Sequence, residues 1–205
     1  MARSLDELEP LPRTFYRRET QELAQQLLGK LLVRRWRGQQ LVGRITETEA
    51  YIGPDDLACH AARGRTARTE VMFGEAGHAY VYLIYGIHEM FNIVAEAPDF
   101  PAAILIRAVE PIAGVAAMQR ARGMTRLENL TNGPGKFTSA FRITRALNAE
   151  DLTRSPRLFV ASDGYRVRAQ RDIATTPRIG IAYAAHCAAY PWRYYLRNSP
   201  FVSRR

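Results

Sequence analysis

The chain has 205 residues, with 29 Lys and Arg against 20 Asp and Glu, and a formal net charge of +9. The length favours one domain. No apolar run reaches the roughly 20 residues that a membrane span needs, so a membrane span is excluded. Two cysteines are too few for a disulfide framework and favour an intracellular, reducing compartment. The cations are nearly all arginine, which indicates a polyanionic partner, and nucleic acid is favoured over a membrane because no basic amphipathic helix is evident.

In chain order, the sequence predicts a flexible N-terminal tail, residues 1–13, and one mixed domain, residues 14–205. Thr20 is the expected cap of the first helix. Helices are predicted at residues 20–29, 111–122 and 132–141, and a surface loop at residues 61–77. Strands are predicted at residues 31–36, 41–48, 104–109, 158–161, 165–169, 179–184 and 194–196, with a hairpin over residues 78–96.

Two carboxylates lie close to the end of the second predicted strand. On a period of two, Glu47, Glu49 and Tyr51 share a face with Ile45, so at least one carboxylate leaves water or the strand bends. Desolvation among aromatic rings raises the pKa of a carboxyl group, which suits a general acid or base. The alternative is a solvated edge strand with a salt-bridged glutamate. The residues alone do not choose between Glu47 and Glu49.

The loop and the hairpin that follow carry features that suit nucleic acid. Arg63, Arg65 and Arg68 form a cluster that either contacts phosphates or is merely solvated. Tyr80 and Tyr82 alternate on one face of the hairpin. The turn beside Gly86 leaves Tyr85 exposed at the tip, where a ring can wedge between base pairs, although a surface tyrosine is the plainer interpretation.

Two more cations stand in unusual contexts. Arg107 lies inside an apolar strand, so it needs a carboxylate such as Glu47 or Glu49, or a ligand. Lys136 follows Asn132, Gly133, Pro134 and Gly135 at the start of a predicted helix, where the backbone N–H groups and the ammonium could hold a phosphate. The same Gly-Pro pair is also ordinary helix punctuation.

A metal site is not predicted, although Cys59, His60, His186 and Cys187 offer two thiols and two imidazoles. Adjacent residues point to opposite faces of a strand, and the spaced pairs of zinc motifs are missing. Phosphate-binding, dinucleotide-binding and serine-hydrolase glycine motifs are also missing. The remaining features are compatible with an enzyme that extrudes a base and cuts its glycosidic bond within DNA.

Several runs in the chain resemble those of the mammalian-type alkyladenine (3-methyladenine) DNA glycosylases. These runs are residues 47–54, His60, residues 80–86, Asn92, and residues 105–108, 133–136 and 195–200. The resemblance extends over residues 15–203. It implies a single α+β domain with a curved, mainly antiparallel sheet flanked by helices. It also implies a monomeric, monofunctional hydrolase that removes 3-methyladenine, 7-methylguanine, hypoxanthine and ethenoadenine from duplex DNA without a cofactor or metal.

The resemblance also implies roles for the residues of the site. Glu49 would be the general base that activates water, and Arg107 would lie beside that water. A non-catalytic protein that senses DNA distortion is the competing interpretation, and it would need neither Glu49 nor Arg107.

The remaining implied roles concern the DNA itself. Tyr51, His60 and Tyr82 would sandwich the flipped base. Asn92 would clash with the 2-amino group of guanine, and Tyr85 would fill the vacated stack. Arg63, Arg65 and Lys136 are the expected backbone contacts.

Overall fold

The protein, described by a computed structural model over residues 5–205 apart from the side chain of Asp6, forms a single α+β domain on one open antiparallel sheet. In these residues the helices are α1 (Arg13–Tyr16), α2 (Thr20–Leu27), α3 (Val115–Arg122), α4 (Pro134–Ala140) and α5 (Ala169–Asp172). The strands are β1 (Leu31–Trp36), β2 (Gln39–Ile52), β3 (Ala79–Ile84), β4 (His88–Val94), β5 (Ala102–Ala113), β6 (Leu158–Ala161), β7 (Ile173–Thr176) and β8 (Arg193–Leu196). The predicted fold class is confirmed.

Strand β2 is a central strand of the sheet and pairs with three other strands. The main strand order is β3-β4-β5-β2-β1-β6. Along one edge β2 pairs with β5, and along the other it pairs first with β1 and then, at Glu47–Glu49, with β8, whose far edge holds β7. All of these pairings are antiparallel. The two glutamates therefore lie at the place where three strands meet.

A change of register around Glu47 decides which way the side chains of β2 point. The pairing with β5 shifts between Ile45 and Glu47 and again between Glu47 and Thr48, which is the mark of β-bulges. Ile45 packs in the main core, while Glu47 and Glu49 line the other face. Glu47, Glu49 and Tyr51 share a face as predicted, but Ile45 does not, because the bulge inserts Thr46 between Ile45 and Glu47. Both foreseen outcomes occur, since the strand is irregular and both carboxylates are fully buried.

Helix α2 covers the core face of the sheet. Its buried Leu23 and Leu27 pack in the main core, and the hydroxyl of Thr48 donates to the carbonyl oxygen of Ala24 at 2.9 Å. The helix begins at Thr20 as predicted, but its cap is Glu19, whose carboxylate accepts from the N–H of residue 22 at 2.8 Å. The bond to Thr48 fixes β2 against this helix.

The helix predicted at residues 111–122 begins later than expected. Strand β5 continues to Ala113, which pairs with Val42, and Gly114 then takes φ +76° before α3 starts at Val115. Helix α4 forms inside its predicted range. Pairing with β2 therefore prevails over helix propensity in the first residues of that segment.

The C-terminal third differs most from the prediction. Strands β6 and β8 are confirmed, but the strands expected at residues 165–169 and 179–184 are wrong, because no strand forms in either range. Strand β7, which was not predicted, pairs with β8 instead. The chain near Ile179 bonds to a side chain of β2 and not to a neighbouring strand. This arrangement brings a loop onto the face that carries the glutamates.

The N-terminal residues lie against the sheet. Leu8 is buried with Leu31 and Phe159, and the N–H of Leu11 donates to Val160 at 2.8 Å. Residues 1–4 of the predicted tail lie outside the described range, and flexibility up to residue 13 stays a prediction. Over residues 5–205 no helix has both the length and the apolar character that a membrane crossing needs.

Candidate active site

Arg107 joins the two buried carboxylates of β2. Its Nε donates to Glu47 Oε1 at 3.1 Å, and its Nη1 donates to Glu49 Oε2 at 3.1 Å. Burial alone would lower the pKa of Arg107, but the charges of Glu49 and Glu47 raise it above the ordinary value. The predicted need for a partner is met by both candidates at once, and the guanidinium stays charged.

Glu47 is enclosed by further donors. Arg193 Nε donates to its Oε1 at 2.7 Å, Ser203 donates to the same oxygen through its hydroxyl at 2.8 Å, and the Ser203 N–H donates to Oε2 at 2.6 Å. Arg193 also donates to the carbonyl oxygen of Arg204. With both oxygens occupied and two arginines against it, Glu47 ties the C-terminal segment to the sheet and holds Arg107 in place.

Glu49 shares Arg107 with Glu47, but its other partners are different. Its Oε2 accepts from the Tyr51 hydroxyl at 2.9 Å as well as from Arg107, and its Oε1 accepts from the Ile179 N–H at 2.7 Å. Only one donor thus reaches Oε1. That oxygen keeps acceptor capacity for a further donor such as a water molecule.

The Tyr51 ring connects Glu49 to a small aromatic cavity. Three predicted base-binding residues, His60, Tyr82 and Asn92, line this cavity together with Tyr51. The His60 and Tyr82 rings meet edge to face, with centroids 4.5 Å apart. Ala58, Met72, Tyr80 and Ala103 complete the lining. The structure therefore brings together four residues that stand as many as 41 positions apart in the sequence.

His60 is neutral at ordinary pH. Burial, followed by the charges of Arg68 and Arg63, lowers its pKa to about 4. Its Nδ1 lies 2.9 Å from the hydroxyl of Tyr80. Asn92 is buried too, and its amide donates to the carbonyl oxygen of Tyr80 at 3.1 Å. His60 and Asn92 are thus both oriented by one residue of β3, Tyr80.

A buried ion pair that was not predicted from the sequence lies next to the Tyr51 ring. Arg178 donates to both oxygens of Asp56, at 2.5 and 2.8 Å, and neither side chain is exposed. The guanidinium lies 4.7 Å from the centroid of the Tyr51 ring and 4.9 Å from that of Trp192. The next residue, Ile179, donates to Glu49. The pair therefore positions the Tyr51 ring and one donor to the Glu49 carboxylate.

Tyr85 lies at the tip of the β3–β4 hairpin, as predicted. Ile84 pairs with His88, so three residues form the turn, and Tyr85 has φ +54°. Its side chain is 83% exposed and the neighbouring Ile87 is 73% exposed. Two large side chains are thus exposed together at the tip of the hairpin that carries Tyr80 and Tyr82.

The three residues expected to contact the DNA backbone differ in whether a carboxylate already compensates their charge. Arg65 pairs with Asp99 at 2.7 Å, so its charge is already compensated. Arg63 is exposed in a short 3-10 helix that starts at His60. The Lys136 ammonium is exposed and donates to Asn132 at 2.9 Å. Of the three, Arg63 and Lys136 keep an uncompensated charge at the surface.

The four potential soft ligands do not converge. Cys59 and Cys187 are buried thiols, and burial raises the pKa of Cys59 to about 11. Cys187 Sγ lies 3.4 Å from His186 Nε2. Within residues 5–205 no group of three or more His, Cys, Asp or Glu side chains could hold a metal ion. Independence from metal stays a prediction.

Comparison with known proteins identifies the class. A family model described as "Methylpurine-DNA glycosylase (MPG)" matches residues 14–200. A "Putative 3-methyladenine DNA glycosylase" of Methanocella arvoryzae is 52% identical, over 95% of this chain and 96% of its own length. Proteins of the same description from Myxococcus xanthus and Alkaliphilus oremlandii are 48% and 44% identical, each over 95% of this chain and over 93% and 99% of their own lengths.

Together these findings define a DNA glycosylase, a hydrolase of N-glycosyl bonds that acts in DNA repair. Within that class the chain belongs to the methylpurine-DNA glycosylase family. Its substrate is accordingly DNA.

Proposed function

We propose that the protein is a monofunctional base-excision-repair enzyme that flips alkylated or deaminated purines out of duplex DNA and hydrolyses the N-glycosidic bond. One observation carries the proposal. The buried carboxylate of Glu49 bonds to the hydroxyl of Tyr51, whose ring lines an aromatic cavity. A carboxylate next to an aromatic base-binding site is what attack of water on a flipped nucleotide requires.

The reaction follows from the partners of Glu49. A water molecule donates to Oε1, and Glu49 takes its proton as the water oxygen attacks C1′ of the deoxyribose. The glycosidic bond breaks, its electron pair leaves with the base, and an abasic site remains. Arg107 and the Ile179 N–H hold the carboxylate in one orientation, which the rate depends on.

The proposed substrates are 3-methyladenine, 7-methylguanine, hypoxanthine and ethenoadenine. The two methylated bases are cationic in DNA, so they leave as neutral molecules without a proton, and a cation is favoured between aromatic rings. In this assignment Tyr51, His60 and Tyr82 sandwich the base. Asn92, oriented by β3, opposes the 2-amino group of normal guanine.

The monofunctional assignment rests on the lysines. A glycosylase that also cuts the strand uses an amine to form a Schiff base. The chain has two lysines, Lys30 and Lys136, and neither lines the aromatic cavity. Water is therefore the proposed nucleophile.

Duplex DNA is the proposed partner on the surface as well. Tyr85 would enter the stack from the hairpin tip, and Arg63, Arg65 and Lys136 would contact phosphates, with Arg65 exchanging Asp99 for the backbone. Binding to undamaged duplex should then weaken steeply with salt, because the cations displace counterions. A nearly flat plot of log K against log salt would contradict this surface.

Three further features belong to the proposal. The protein acts as a monomer, it works on DNA inside the cell, in the cytoplasm or nucleoid if the source is prokaryotic, and it follows the mammalian type of mechanism. The three relatives compared above are archaeal and bacterial. The family is therefore established by them, and the mammalian type stays a prediction.

The test uses duplexes that each carry one defined lesion. After incubation, alkali cleaves every abasic site, so the product reports base release. We expect release of 3-methyladenine and 7-methylguanine and, more slowly, of the neutral bases hypoxanthine and ethenoadenine, whose departure needs a proton. An intact set of duplexes would contradict the proposal.

A further inference from the structure

A groove beside the aromatic cavity contains two side chains, Arg68 and Tyr183, to which the proposed function gives no role. Leu57, His60, Arg63, Arg68 and Tyr183 are among the residues that line it. His60 lines the cavity as well, so the two spaces adjoin. The Arg68 guanidinium lies 5.0 Å from the centroid of the Tyr82 ring. The groove therefore lies directly beside the aromatic cavity.

Tyr183 is an unusual surface residue. Its side chain is 71% exposed, and among the large apolar side chains of residues 5–205 only the hairpin-tip residues Tyr85 and Ile87 are more exposed. Burial raises the pKa of Tyr183, and the groups whose charges modify it include Tyr85 and Arg63, which places both near its phenol. Two exposed tyrosines thus lie close together on one face of the protein, and Tyr183 lines the groove.

The charges of the groove are uncompensated. Within the described residues, Arg63 and Arg68 form no ion pair with a carboxylate, whereas Arg65 in the same segment pairs with Asp99 and Glu70. The lining contains no acidic side chain. Free cations beside an exposed aromatic ring are the usual means by which proteins hold a single strand of nucleic acid.

We propose that this groove binds the damaged strand next to the extruded nucleotide, with Tyr183 stacked on a neighbouring base and Arg63 and Arg68 on the flanking phosphates. The inference rests on the proposed function, because extrusion of a nucleotide exposes the faces of its neighbours. Tyr85 then fills the gap in the duplex, while Tyr183 holds the strand that has been bent out of it.

The test is a binding measurement that does not depend on catalysis. The probe is a duplex with a tetrahydrofuran abasic-site analogue, followed by fluorescence anisotropy. Tyr183→Ser is expected to weaken binding about tenfold or more, as loss of a base–aromatic stack does, and Tyr183→Phe to stay within about threefold. Tyr165→Ser is the matched control, since Tyr165 is half exposed but lies on the α2 side, beneath Arg44.

The strand is identified with 2-aminopurine placed beside the analogue in either strand. Tyr183→Ser should change the fluorescence of the probe in the damaged strand and leave that in the opposite strand unaltered. Wild-type affinity of Tyr183→Ser, an equal loss in Tyr165→Ser, or a change confined to the opposite strand would overturn the inference. A wild-type protein that binds this duplex but releases no methylated purine would instead contradict the proposed function.

Discussion

Replacement of Glu47 by glutamine is expected to destabilise the fold much more than it impairs the chemistry. The carboxylate is fully buried and accepts from Arg107, from Arg193 and twice from Ser203. An amide cannot balance two buried guanidinium groups. It can still bond to Ser203 through its oxygen.

The magnitude follows from which arginine loses its partner. Arg107 keeps Glu49 at 3.1 Å, but Arg193 keeps only neutral acceptors, Thr176 Oγ1 and the carbonyl oxygen of Arg204. Breaking a buried pair costs about 3–5 kcal/mol, and the retained contacts argue for the lower end, about 3 kcal/mol. In a domain of this size that lowers Tm by about 6–12 °C.

Thermal unfolding of the wild type, Glu47→Gln and Glu49→Gln measures this directly. Glu49→Gln is the matched control, and its loss should be smaller because Arg107 keeps Glu47. Below its own Tm, Glu47→Gln should retain most of its base excision. Equal Tm values for Glu47→Gln and wild type, or a larger loss in Glu49→Gln, would refute the structural role assigned to Glu47.

Three other outcomes are expected. Arg178→Met should slow excision while duplex affinity changes little, because the Ile179 N–H next to it no longer holds Glu49 in place; a lower Tm with an unchanged excision rate would leave Arg178 a purely structural role. Tyr85→Ser should slow excision of well-paired lesions more than of mispaired ones at unchanged Tm, because the ring offsets part of the cost of extrusion, and an unaltered 2-aminopurine signal would show an ordinary surface tyrosine. Chelation should leave excision intact, as should the double change Cys59→Ala with Cys187→Ala, and activity that only added zinc restores would revive a metal site.

The parts of the site that the sequence predicts are those with local signals. Strand alternation puts Tyr80 and Tyr82 on one face, and Gly86 marks the turn that exposes Tyr85. An arginine inside an apolar strand has to find an acid, and Arg107 does. Each of these inferences uses residues within a few positions of one another or a rule about burial.

The parts that escape prediction depend on contacts between distant residues. Asp56 and Arg178 are 122 positions apart, and no periodic pattern connects them. The alternation of side chains in residues 179–184 predicts a strand. Alternation carries no information about the hydrogen bond from the Ile179 N–H to Glu49, which holds this segment in a loop. The bulge at Thr46 likewise arises from pairing with β5, since a single inserted residue leaves no mark in composition.

The most direct test of the account compares base release by the wild type and Glu49→Gln under single-turnover conditions, on a duplex that contains 3-methyladenine. Wild-type protein should release the base and leave an alkali-labile site. Glu49→Gln should bind the duplex with similar affinity and excise about 10²–10⁴-fold more slowly, as expected when a general base is removed. Release at the wild-type rate by Glu49→Gln, or loss of activity in Glu47→Gln instead, would contradict Glu49 as the base that activates water.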